Sequence, residues 1–189
     1  MPEHEHHEEH HAAIPDPGLN EAVARLQARL DELSRVIAEN PRDVRAYLSR
    51  GVVYGQLADH ERALADFTSA VEADPTSIEA LYNRGVAYAF VKEQMTAIED
   101  FDAVLKINPK HVDAMNNRAA AFLELELYQP AIADAEATLR LNPKKASAYA
   151  IRAAALRGLN RIEEAERDEA KARSLSVQPN VTLQTKPKR

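Results

Sequence analysis

The sequence predicts an all-α solenoid of stacked antiparallel helix pairs, and three observations carry that reading. Pro41, Pro75, Pro109 and Pro143 stand 34 residues apart, and four further columns keep one residue type in all four copies. Those columns are Ala46, Ala80, Ala114 and Ala148; Arg50, Arg84, Arg118 and Arg152; Ala63, Ala97, Ala131 and Ala165; and Asp66, Asp100, Asp134 and Asp168. Each copy also holds two apolar runs at helical spacing, such as Tyr47, Val53, Tyr54 and Leu57, then Ala63, Leu64, Phe67 and Val71, so one copy is a helix pair. Composition agrees: aromatics make up 5% of the chain and its 5 glycines are scattered singly, while Ala, Leu, Glu and Arg recur throughout. A unit this short cannot bury its apolar face alone and must stack on a neighbour.

Residues 1–18 form a His- and Glu-rich segment expected to be disordered. Residues 19–40 carry an amphipathic helix with Leu19, Val23, Leu26, Leu30, Leu33 and Ile37 at alternating spacings of four and three. That seam reads in two ways. Over three heptads it suits a coiled-coil homodimer through 19–40; its last part, with Leu33, Val36, Ile37, Asn40 and Pro41 in the columns of Phe101, Val104, Leu105, Asn108 and Pro109, suits a degenerate half-repeat covering the first full pair. The half-repeat is the better fit.

Four units follow, at 41–74, 75–108, 109–142 and 143–176. The proline columns fall between units, where a helix must stop, Asp59 can cap the second helix of the first unit, and Pro130 sits in the first turn of the second helix of the third. The final helix, around Arg161 to Leu175, is rich in charge, as an end facing water requires. Residues 177–189 form a polar basic tail without helical periodicity, expected to be disordered.

The period, with Tyr47, Gly51, Tyr54, Ala63, Phe67, Ala70 and Pro75 in the first unit and Gly85, Tyr88, Ala97, Phe101 and Pro109 in the second, resembles the tetratricopeptide repeat. The third and fourth units depart from that pattern, with Ala119 and Ala153 in the glycine column and Phe122 and Leu156 in the tyrosine column. The resemblance covers 41–176 and implies a right-handed superhelix whose first helices line a concave wall that holds a protein or peptide partner. It implies a non-catalytic scaffold or adaptor, since the fold is specific and the function is not.

On the wall so implied, Leu48, Val52, Tyr82, Asn83, Val86, Phe90, Asn116 and Asn117 are the candidate groove residues. Apolar spots alternate there with amides, and an Asn side chain can both donate to and accept from an extended backbone. Asn83 and Asn117, one repeat apart, resemble two rungs of an asparagine ladder. The family's carboxylate clamp for chaperone C-termini does not fit: its positions hold Leu48, Val52, Asn83, Asp113 and Asn117, and Asp113 would repel a carboxylate. The Arg and Asp columns, 16 residues apart in every unit, read as an ion pair setting helix register, not as a ligand stripe.

A formal charge of −6, with both signs interspersed, argues against a nucleic-acid face. No run approaches the length needed for membrane insertion. The sequence has no cysteine, which excludes thiol chemistry, and the N-terminus lacks the basic and apolar regions of a secretory signal, so a cytoplasmic location is expected. No phosphate-cradling loop, nucleophile triad or metal-spaced histidine pair occurs in the repeats, so no enzyme activity is expected; His60 and His111 stand singly near helix starts and are expected to be exposed. The one metal candidate is the N-terminal tract: His4, His6, His7, His10 and His11, interleaved with Glu3, Glu5, Glu8 and Glu9, suit weak binding of Ni, Cu or Zn. With Met1 removed, His4 becomes the third residue, as in the square-planar amino-terminal Cu and Ni motif. No cofactor is required, and a metal-handling adaptor is the alternative function.

Overall fold

A computed structural model describes residues 17–176, and the elements described are all α-helices. In chain order these are α1 (Pro17–Glu39), α2 (Val44–Gln56), α3 (His60–Ala73), α4 (Ile78–Phe90), α5 (Gln94–Ile107), α6 (Val112–Glu124), α7 (Tyr128–Leu141), α8 (Ala146–Gly158) and α9 (Ile162–Ser176). Every helix packs on the next in sequence, and α2, α4, α6 and α8 also touch one another directly, whereas α3, α5, α7 and α9 do not. The first helices of the pairs therefore form the tighter row, which is the inside of the curve.

The breaks between units share one local chemistry. Asn40, Asp74, Asn108 and Asn142 each precede a proline or its equivalent column, and their side-chain oxygens accept from the backbone N–H of Arg42, Thr76, Lys110 and Lys144 at 3.3, 2.9, 3.1 and 3.1 Å. Proline at the intervening position has no N–H to lose, so the turn both stops one helix and aims the next. Within each unit the turn passes through a left-handed residue, Ala58, Lys92, Glu126 or Asn160, with φ between 57° and 67°. Asp59 accepts from the Arg62 N–H at 3.1 Å and caps α3 as its sequence position predicts.

The departures from the repeat pattern in the third and fourth units turn out to compensate one another. A Cβ on Gly51 would lie 2.6 Å from Cε1 of Phe67, and one on Gly85 would lie 2.8 Å from Cε1 of Phe101. At the equivalent positions the third unit has Ala119 with Ala135, and the fourth has Ala153 with Glu169. Where the ring is lost from the second helix, a methyl is gained on the first, so close packing is kept by a different split of volume.

All four Arg and Asp columns pair as expected, each through two hydrogen bonds. Arg50 meets Asp66 at 2.8 and 2.7 Å, Arg84 meets Asp100 at 2.8 and 2.6 Å, Arg118 meets Asp134 at 2.6 and 2.7 Å, and Arg152 meets Asp168 at 2.6 and 2.8 Å. In three of the four the same guanidinium also reaches the second helix of the preceding unit: Arg50 donates to Ser34 Oγ at 3.1 Å, Arg118 binds Asp102, and Arg152 lies 3.9 Å from Glu136. Ser34, Asp102 and Glu136 occupy one repeat column, so the arginine joins two units as well as two helices. Its carboxylate partner holds each guanidinium in its charged form, with Asp66, Asp100, Asp134 and Asp168 the largest causes, and Asp102 and Glu136 add to the effect at Arg118 and Arg152.

Both ends of the stack are polar where the interior is apolar. The small alanine column, buried at Ala63, Ala97, Ala131 and Ala165, is occupied in α1 by Arg29, which pairs with Glu32 at 2.6 Å. Helix α1 packs on α2 through Leu30, Leu33 and Ile37, buried with Ala46 and Val53, and leaves Val36 and Val23 exposed. The later part of the heptad seam is thus used within the chain. The helix begins at Pro17, two residues before the expected boundary, because a proline in the first turn needs no N–H acceptor. At the other end, the columns filled by Ile132, Ala135 and Leu139 in α7 hold Glu166, Glu169 and Arg173 in α9.

Candidate binding wall

The inner row presents two clefts, one on each side of α4. The first, about 380 Å³, lies between α4 and α6, with Val86, Ala89, Phe90 and Ala120 as apolar lining and Lys92, Gln94, Asn117 and Glu124 as polar lining. The second, about 600 Å³, lies between α2 and α4, with Val44, Leu48 and Val52 against Arg45, Ser49, Ser77 and Glu79. Phe90 is 64% exposed, a large value for a phenylalanine, and its ring stacks on His60 at 5.0 Å between centroids.

The candidate groove residues divide by burial. Val52 and Phe90 are exposed, and Tyr82, Asn83, Val86 and Asn117 are half-buried on the wall. Leu48 and Asn116 are corrected: they are buried, at 7% and 8% exposure. Leu48 joins the core beneath α2 and shows only an edge to its cleft. Asn116 turns into the contact between inner helices, where its Oδ1 accepts from the Ser147 hydroxyl at 2.9 Å, because α6 and α8 approach closely enough to bury it.

The two asparagines one repeat apart differ in what they have free. Nδ2 of Asn117 donates to the Tyr82 hydroxyl at 3.1 Å, which leaves its oxygen as an acceptor facing the α4–α6 cleft. The Asn83 amide has no hydrogen-bond partner among the described residues. Burial pushes the Tyr82 phenol above its ordinary pKa, nearby Asp113 adds to the effect, and the Asn117 bond opposes it. Asp113 is itself held by Lys145 at 2.7 Å.

The expectation that His60 and His111 are exposed is also corrected. Both are half-buried against rings: His60 on Phe90, and His111 against Tyr82 at 5.1 Å. The Nδ1 of His111 accepts from the Ala114 N–H at 3.1 Å and caps α6, a role an imidazole can fill when that nitrogen is unprotonated. These contacts follow a column rule that the sequence holds but that needs three dimensions to read. His60, Gln94 and Tyr128, each one repeat apart, sit against Phe90, Glu124 and Gly158, also one repeat apart. Gln94 enters the site by this route, Ala89 and Lys92 line it beside Phe90, and sequence reasoning selected none of the three.

His4, His6, His7, His10 and His11 lie outside the described residues. Among the described residues no three His, Asp or Glu side chains gather as a metal site, and no helix is long and apolar enough to cross a membrane.

Tetratricopeptide-repeat family models match residues 30–78 and 95–136 in one case and 67–99 in another, so that together they span 30–136 of the 189 residues. The chain belongs to the tetratricopeptide-repeat family. Among solved structures it is similar to a crystal structure of MamA, at 23% identity and a TM-score of 0.76, with 86% of this chain aligned to 95% of that one. It is similar also to MamA from residue 41 to its end from Desulfovibrio magneticus RS-1, at 17% identity, a TM-score of 0.75, and 84% of this chain aligned to 91% of that one. A third is YrrB, described as a TPR protein with an unusual peptide-binding site, at 17% identity and a TM-score of 0.73, with 84% of this chain aligned to 82% of that one. At these identities the likeness is one of fold. A comparison with curated protein sequences finds no match. For a tetratricopeptide-repeat chain, the inner wall with its two clefts is the candidate binding surface.

Proposed function

We propose that this chain is a non-catalytic interaction scaffold that holds an extended segment of a partner protein against α4, with one bulky apolar side chain of the partner in the α4–α6 cleft. The observation that carries this reading is Phe90, 64% exposed at the edge of an apolar cleft of about 380 Å³, a size that suits a single large side chain. Two polar groups stand ready beside it. The unpartnered Asn83 amide and the free oxygen of Asn117 can take a backbone N–H and C=O that would otherwise lose water on binding. The YrrB likeness supports the idea that a wall of this fold can hold a peptide. A cytoplasmic setting belongs to the same proposal.

Peptides selected from a random display library against the wild-type chain test it. Binders are expected to carry a large apolar residue and to lose at least tenfold affinity for Phe90→Ala and for Asn83→Ala, measured by calorimetry. Selected peptides that bind both variants as well as wild type refute the reading.

A further inference from the structure

Two consecutive boundaries between units carry the same exposed motif on the edge where the second helices end. Lys106, Ile107 and Lys110 at one boundary between units recur as Arg140, Leu141 and Lys144 at the next, each matched in column. All six side chains are exposed, Ile107 at 46% and Leu141 at 43%, and none of the four cations has an ion-pair or side-chain hydrogen-bond partner among the described residues.

Helix chemistry explains part of this arrangement. A cation in the last helical turn opposes the negative end of the helix dipole, which accounts for Lys106 and Arg140. It accounts for neither Lys110 and Lys144, which lie beyond the helices, nor the exposed Ile107 and Leu141. The fold does not require the motif either, since the boundary between the first and second units has Glu72, Ala73 and Thr76 at the same three positions.

We propose that this edge of the second to fourth units is a second docking surface, separate from the inner wall, for an acidic polypeptide segment in which carboxylates flank apolar side chains. Charge complementarity selects the carboxylates, and two partly exposed branched side chains one repeat apart supply the apolar contact. The same edge distinguishes a peptide from an anionic bilayer. Where α3 ends, that edge carries Glu72 and Asp74, which a flat anionic surface laid along the whole edge would have to approach. A segment limited to the later units avoids them.

The test uses the full chain and a fluorescent peptide of repeated Glu-Glu-Leu triplets, followed by anisotropy. Binding is expected, with an affinity that falls at least tenfold from low to high salt. It is expected to fall at least tenfold in Lys106→Gln/Lys110→Gln/Arg140→Gln/Lys144→Gln and severalfold in Ile107→Ser/Leu141→Ser, and to be unchanged in Phe90→Ala. Thermal melts of the same variants separate lost binding from lost folding, and each substitution is at an exposed site chosen to keep the fold. Binding unaltered by the four glutamines, or lost in Phe90→Ala, overturns the proposal. So does a result in which the glutamines release the chain from phosphatidylserine vesicles while leaving peptide binding intact. Failure of the inner-wall reading shows instead as display-selected peptides indifferent to Phe90, and the two outcomes are independent.

Discussion

Gly85 and Phe101 are expected to be strongly coupled, and a double-mutant cycle measures by how much. In Gly85→Ala the new methyl would lie 2.8 Å from Cε1 and 3.1 Å from Cδ1 of the Phe101 ring, and 3.1 Å from Cβ of Asp100. The ring cannot retreat, because Phe101 is 0% exposed. Overpacking of this kind costs about 1–3 kcal/mol, partly masked by the roughly 1 kcal/mol that alanine gains over glycine inside a helix. Phe101→Ala alone should cost about 3–5 kcal/mol through lost burial and the cavity left behind. In the double variant the overlap vanishes and the site takes the Ala119 and Ala135 composition of the third unit. The helix-propensity gain cancels around the cycle, so the coupling isolates the overlap, and the double variant should be more stable than the sum of the singles by at least about 1 kcal/mol. Urea unfolding of the four proteins gives the answer. Gly55, whose added Cβ would meet nothing within 4 Å, is the control: Gly55→Ala should stabilise by up to about 1 kcal/mol. Additivity within about 0.5 kcal/mol would refute the compensation described for the later units.

Three further outcomes are expected. Arg84→Met leaves Asp100, 4% exposed, without its partner, and should cost about 3 kcal/mol, most of which returns when Asp100→Leu is added; equal losses in both proteins by chemical denaturation would contradict this. Thr138 is fully buried and its hydroxyl has no hydrogen-bond partner among the described residues, whereas the same column holds Val104 in the preceding unit, so Thr138→Val should raise stability by about 1 kcal/mol in urea unfolding. Acid should unfold the chain through its depressed carboxylates. Asp74 is lowered by bonds from Thr76, Asp59 by bonds from Arg62, Glu164 by Arg161 and Glu169 by Arg157. Their contribution is present above the ordinary carboxylate range near pH 4 and is lost as pH falls through the lower folded values, so Tm should drop below about pH 4, less steeply in Asp74→Asn.

The repeat was legible because its information is one-dimensional: a column of prolines and four fixed columns give the period, and apolar spacing gives the helix pairs. The Arg and Asp pairing was legible for the same reason, since a constant separation of 16 survives in all four units. What escaped the sequence depends on contacts between units. The second contact of Arg50, Arg118 and Arg152, to Ser34, Asp102 and Glu136, joins residues of varied type, so no fixed column marks it. Leu48 and Asn116 occupy wall columns, yet the local closeness of neighbouring inner helices decides which of them still meets water. His60 looked like a lone surface histidine until the curvature brought Phe90 over its ring.

The charged ends of the stack bear on how such a chain can change length. Every interior junction offers apolar side chains to the next unit, but a fifth unit added after α9 would have to strip water from Glu166, Glu169 and Arg173, and one added before α1 would meet Arg29 and Glu32. Growth is therefore blocked at the boundaries and open in the middle. A copy of residues 75–108 inserted at Asn108 would find matching faces on both sides, and the molecule would lengthen by duplication from within, not by extension at its tips.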